Sequence, residues 1–144
     1  MKRIITILAC ISVISACVST QTVDMRQVMQ EAMEITEYTN LRTLSIPSRG
    51  AIADAASIAV DGGGAAKQLR NSIEQLNNTG GGNLLVTSSN PALPNAHIRG
   101  AMKDLSVKID NVLLIYAGKK EYSDLIKAEV EAKGIKYAFI DTYK

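Results

Sequence analysis

Val112-Leu113-Leu114-Ile115-Tyr116 is an unbroken apolar run, set between Asp110-Asn111 and Gly118-Lys119-Lys120. A short continuous run of this kind suits a strand covered on both faces, as in a parallel sheet. Downstream, residues 121–133 carry Tyr122, Leu125, Ile126 and Val130 at helical spacing, and Gly134 follows as the residue that ends the helix. Residues 135–140 then read as another strand. Upstream, residues 84–87 form a short apolar strand and 91–94 a proline loop. Asn95 is expected to cap a helix that turns Ile98, Ala101, Met102 and Leu105 inward. Strands joined by helical crossovers predict a parallel sheet with right-handed connections. The fold class is therefore α/β, with a small parallel sheet of about three strands, βαβαβ, over residues 83–144.

The preceding half reads as mostly helical over 24–79. Asp24 starts a helix, with Gln27 three residues on as a capping box. Met25, Val28, Met29, Ala32 and Met33 recur at helical spacing, and the pattern runs to about residue 38. Residues 39–50 are loop-like, with 41–46 open to a short edge strand. Residues 51–60 are apolar almost all round and read as a small buried helix. Asp61-Gly62-Gly63-Gly64 breaks it, and 65–77 form a third helix with Leu69, Ile73 and Leu76 on one face. These three helices are expected to form an N-terminal layer over the sheet, within a single domain spanning 24–144. Five of the six aromatic residues (Tyr116, Tyr122, Tyr137, Phe139, Tyr143) fall in the last third, which places the firmest packing there.

The chain starts differently. Lys2 and Arg3 precede an apolar stretch from Ile4, which ends in Ile14-Ser15-Ala16-Cys17. The thirteen residues from Ile4 to Ala16 span about 20 Å as a helix at roughly 1.5 Å per residue. A bilayer span needs about 20 apolar residues, so a removable leader fits better than a permanent helix. In order and spacing, this segment resembles the type II signal peptide and lipobox of bacterial lipoproteins. The resemblance covers only the first seventeen or so residues. It implies that residues 1–16 are cut away, that Cys17 is diacylated on sulfur, and that its new amino group is usually acylated too. Residues 17–23 then become a lipidated tether. An ordinary secretory cut and a buried helix with a free thiol are the competing readings of Cys17. Val18 stands where an aspartate tends to retain enterobacterial lipoproteins in the inner membrane, so the outer membrane facing the periplasm is the expected location.

Composition follows from that cut. Cys10 leaves with the leader and Cys17 takes the lipid, so the mature domain has no disulfide to use. Loss of Lys2 and Arg3 brings sixteen basic residues to fourteen, level with the fourteen acidic ones. Near-neutrality argues against a nucleic-acid partner.

In open α/β sheets, ligands bind outside the carboxyl ends of the strands. Here that edge offers Ser88, Ser89 and Asn90, then Gly118, Lys119 and Lys120, then Asp141 and Thr142. Hydroxyls, a lysine pair and a carboxylate suit a small polar or anionic ligand, although βα loops are polar in every such fold. Neither glycine triplet has the order or the Gly-Lys-Ser/Thr ending of a phosphate loop, so both read as linkers. His97 is the lone histidine; with Ser88 or Ser89 nearby it would suit a hydrolase, but no Gly-x-Ser-x-Gly elbow occurs. Asp104 and Asp110 are too ordinary a pair to assign acid/base work. No metal site is expected, given one histidine and no free thiol, and no cofactor is expected.

Met25, Met29 and Met33 stand at i, i+4, i+8 along one helix face, beside the tether. Methionine adapts to irregular grooves, so the stripe is a candidate partner surface, with core packing as the competing reading. The functional expectation is a membrane-anchored, non-catalytic envelope lipoprotein that binds or organises a protein partner, as in a secretion, pilus or conjugation assembly. A small-ligand binding module at the strand edge is the alternative, and a Ser/His hydrolase the more remote one.

Overall fold

The computed structural model describes residues 23–37 and 39–143; the leader, Cys17 and most of the tether fall outside these. The elements are α1 (Met25–Ile35), β1 (Leu41–Ile46), α2 (Ala51–Ala59), α3 (Gly63–Asn78), β2 (Gly82–Ser88), α4 (Ala92–Asp104), β3 (Val112–Gly118), α5 (Lys120–Glu131) and β4 (Lys136–Asp141). The sheet has four strands, not three, in the order β1-β2-β3-β4, and every pairing is parallel. The added strand is β1, which pairs with β2 from Leu41↔Asn83 to Ile46↔Ser88.

Strands taken in sequential order, with crossovers of one hand, place their helices on one face. Ile46, Leu84, Val86, Val112, Leu114 and Tyr116 point to that face and pack with Leu69 and Ile73 of α3, Ile98 of α4, and Ile126 and Val130 of α5. Leu85, Ile115, Ala117 and Ile140 point the other way, against Val28 and Ala32 of α1. The expected N-terminal layer is therefore not formed. Among the described residues α1 alone covers one face, whereas α3 joins α4 and α5 on the other. The apolar runs of β2 and β3 are explained, since both have cover on two sides.

Local chemistry sets the helix starts. Asp24 Oδ1 accepts from the Arg26 and Gln27 amides at 3.0 and 3.3 Å, as an N-cap should. The fourth helix begins at Ala92, three residues before the expected cap at Asn95. Asn90 Oδ1 accepts from Ala92 N at 3.1 Å and does the capping instead. Both Leu93 and Pro94 thus lie in the first helical turn, where a proline needs no amide.

The turn between α2 and α3 is seated on α4 through two glycines. A Cβ on Gly62 would come 2.7 Å from the His97 Cα, and one on Gly100 would overlap the Asp61 carbonyl. Asp61, Gly62 and Gly63 all take positive φ (49, 83 and 49°), which lets the chain reverse within so short a turn.

The second helix differs most from expectation. Its only buried residue is Asp54, and Ala51, Ile52, Ala53, Ala55, Ala56 and Ala59 are exposed. Topology accounts for this. The helix starts beyond the carboxyl end of β1 and then runs beside α4, where Asn90 reaches Asp54, His97 faces Ser57 and Gly100 meets the Asp61 carbonyl. Thus α2 packs against α4 rather than on the sheet, and one side of it stays exposed.

Candidate functional site

The carboxyl edge divides into two regions. At the β1 side, Asp54 organises the loops. Its carboxylate accepts from Ser48 Oγ at 2.5 Å, the Arg49 amide at 2.8 Å and Asn90 Nδ2 at 2.8 Å. These donors, Ser48 foremost, hold its carboxyl below the usual range against the opposing effect of burial. One carboxylate thereby ties the β1–α2 loop to the β2–α4 loop.

One helical turn after Asp54, Ser57 faces His97. The imidazole is buried, with Nδ1 on the Leu93 carbonyl and Nε2 3.4 Å from Ser57 Oγ. A carbonyl only accepts, so Nδ1 carries the proton and, in neutral His97, Nε2 accepts from the Ser57 hydroxyl. These groups border a cleft of about 580 Å³ between α2, the end of β1 and the start of α3. Arg49, Ser57, Gln68 and His97 line it alongside Ile46, Val60 and Leu93. Polar anchors set in a mostly apolar wall suit a small ligand with one polar end.

The β3–β4 side is filled with aromatic groups. Tyr116 Oη accepts from the Lys119 amide at 3.1 Å, and a Cβ on Gly118 would run into that hydroxyl. Burial raises the Tyr116 phenol above its usual value. Lys119 Nζ sits 3.5 Å from Glu121 and 5.7 Å from the centre of the Tyr143 ring. Asp141 accepts from the Tyr143 amide at 3.1 Å, and Thr142 N donates to the Gly118 carbonyl at 3.1 Å.

The strand-edge residues singled out from the sequence are therefore spread along this edge. Ser88 is buried, its hydroxyl accepting from the Asn90 amide at 3.1 Å. Ser89 is exposed, and its carbonyl accepts from Tyr143 Oη at 3.4 Å. Asn90 belongs to the Asp54 network. Asp141 lines a separate cleft of about 120 Å³ with Asp24 and Gln27 of α1. The hydroxyl beside His97 belongs to Ser57, which the sequence does not single out; residues 40 apart give no local signal. Of the carboxylates considered, Asp104 pairs with Arg70 at 3.5 Å and Asp110 is exposed.

The methionine stripe is divided. Met29 packs partly against the core, whereas Met25 and Met33 are each 39 % exposed. Val28 and Ala32 share the same four-residue step, so the stripe runs parallel to their buried line, with Met29 and Met33 about 100° round the helix from it.

Among the described residues, no group of three His, Cys, Asp or Glu side chains could hold a metal ion. No described helix is long and apolar enough to cross a membrane. The chain matches no protein-family model, no curated protein and no solved structure.

Proposed function

We propose that this chain is a lipid-anchored bacterial envelope protein, acylated on Cys17 and held at the outer membrane facing the periplasm. It acts without catalysis, as an interaction or accessory component of an envelope assembly of the secretion, pilus or conjugation type. The observation that supports the interaction role is the outward face of α1. This first helix behind the tether leaves Met25, Met33 and Ile35 exposed while Val28 and Ala32 hold it to the sheet. Apolar side chains on an otherwise polar helix suit a partner's groove.

The test is cross-linking and affinity recovery from native envelopes, with palmitate labelling as the separate readout of Cys17. The paired change Met25→Ser with Met33→Ser is expected to lower partner recovery at least fivefold while leaving the far-UV spectrum and unfolding midpoint nearly unchanged. Unaltered recovery would remove α1 from the interface, and Cys17→Ser should lose both label and envelope association.

The cleft beside His97 favours a second reading, a binding module for a small polar ligand. A ligand at about 100 times its Kd would stabilise the fold by about 2.7 kcal/mol. Thermal shift against a panel of small polar and anionic compounds measures this. Ser57→Leu, which fills the cleft, is expected to abolish any shift. A shift that persists in that variant would place the ligand elsewhere.

A further inference from the structure

One wall of the cleft beside His97 is a single side of α2. Ala53, Ala56, Ser57 and Val60 stand at i, i+3, i+4 and i+7, and all four line the cleft. The two alanines and Val60 stay exposed there, next to the buried Ile46 and Leu93. From Ala53 to Val60 this wall is about 10 Å long, at roughly 1.5 Å per residue. Gly63 and Gly64, at the start of α3, also line the cleft. Every other glycine of the chain takes a positive φ or packs where a Cβ would clash. Gly64 does neither: its φ is ordinary and nothing lies within 4 Å of its Cβ position. A side chain missing from the wall of a cleft, where neither conformation nor packing requires it, leaves room for a ligand against the backbone.

Charge is confined to the other end. Arg49 lies between β1 and α2, and it is the one lysine or arginine lining the cleft. Asp54 is the one acidic residue there. It directs its carboxylate to Ser48, Asn90 and the Arg49 amide, not to the Arg49 guanidinium. Among the described residues that guanidinium makes no ion pair. An unpaired cation at one end, with an apolar wall running away from it, matches a ligand of the same build: an anionic head on an aliphatic chain. A guanidinium also selects the head, because it donates two parallel N–H bonds to the oxygens of a carboxylate or a phosphate.

We infer that the cleft binds an anionic amphiphile, with its carboxylate or phosphate on Arg49 and its chain along Ala53, Ala56 and Val60 toward Gly64. This rests on the second reading above, in which the cleft holds a small ligand, and it names the class of that ligand. Binding is reversible and involves no chemical step.

The full-length protein in phosphatidylcholine vesicles is photolabelled with a diazirine derivative of octanoic acid, and the labelled tryptic peptides are mapped. Trypsin cuts after Arg49 and Lys67, so one peptide, 50–67, carries α2 and the start of α3. The label is expected to concentrate in that peptide. Octanoate or octyl phosphate should displace it at concentrations at least tenfold lower than octanol or octylamine, and the stronger of the two anions assigns the head as carboxylate or phosphate. Arg49→Gln, at an exposed residue, should lower the labelling at least fivefold, read on peptide 43–67 because the cut at 49 is lost. Gly64→Leu should do the same by closing the far end of the cleft, at a position where the Cβ meets no neighbour. Both variants are expected to keep the wild-type urea midpoint. Displacement by octanol equal to that by octanoate, or labelling unchanged in Arg49→Gln, overturns the anionic class and leaves the cleft as a ligand site. Label spread evenly over the chain overturns the inference, and if the thermal-shift panel also gives no shift, the reading of the cleft falls with it.

Discussion

Gly100→Ala is expected to lower the free energy of unfolding by about 2–3 kcal/mol, the cost of overpacking a tight contact less a small gain in helix propensity. The added Cβ would overlap the Asp61 carbonyl oxygen and sit 2.9 Å from Ala66 Cβ. Neither neighbour is the free end of a flexible side chain. Relief requires α3 and its preceding turn to move off α4, which also disturbs Gly62 against His97. Alanine is the better helix former by about 1 kcal/mol, so propensity alone predicts the opposite sign. The clash is the larger effect. Gly64→Ala provides the contrast, because nothing lies within 4 Å of its Cβ position and its φ is ordinary. That substitution should be neutral or stabilising by up to about 1 kcal/mol. Urea unfolding of both variants decides the matter, and equal midpoints would show that α3 and α4 are not held by this contact.

Asp54→Ala is expected to cost about 2–4 kcal/mol, since it leaves the Ser48 hydroxyl, the Arg49 amide and the Asn90 side chain without their shared acceptor. The β1–α2 and β2–α4 loops should loosen first, seen as faster amide exchange at Arg49 and through α2. The effect depends on pH with a definite sign. The folded-state pKa of Asp54 lies below the ordinary value of 3.8, so its contribution is complete above about pH 4 and fades as pH falls through the lowered value. Asp54→Asn keeps the shape and removes the titration. Its stability should therefore flatten relative to wild type on the acid side, while at neutral pH it is lower. A wild-type acid limb identical to that of Asp54→Asn would deny the carboxylate this role.

These two positions show where sequence patterns stop. Residues 84–87 and 112–116 were legible as strands because cover on both faces makes them continuously apolar. β1 was harder to read. Its Leu-Arg-Thr-Leu-Ser-Ile puts three apolar residues among polar ones, as an edge strand does, and its partner β2 lies some forty residues on. Both Asp54 and Ser57 were hidden in an apolar helix, and their partners Asn90 and His97 come from beyond β2.

The sequence by itself determined the α/β class, three parallel strands with their crossovers, the cap at Asp24 and the glycine breaks, because each depends on neighbours within a few turns of chain. Tertiary structure decided the rest. It added β1 to the sheet, set α1 on the face opposite α3, α4 and α5, and turned α2 so that its carboxylate faces in and its isoleucine out. The physical reason is shared: burial in this fold is set by which edge or face an element reaches, and that depends on distant strands rather than on the element's own hydrophobicity.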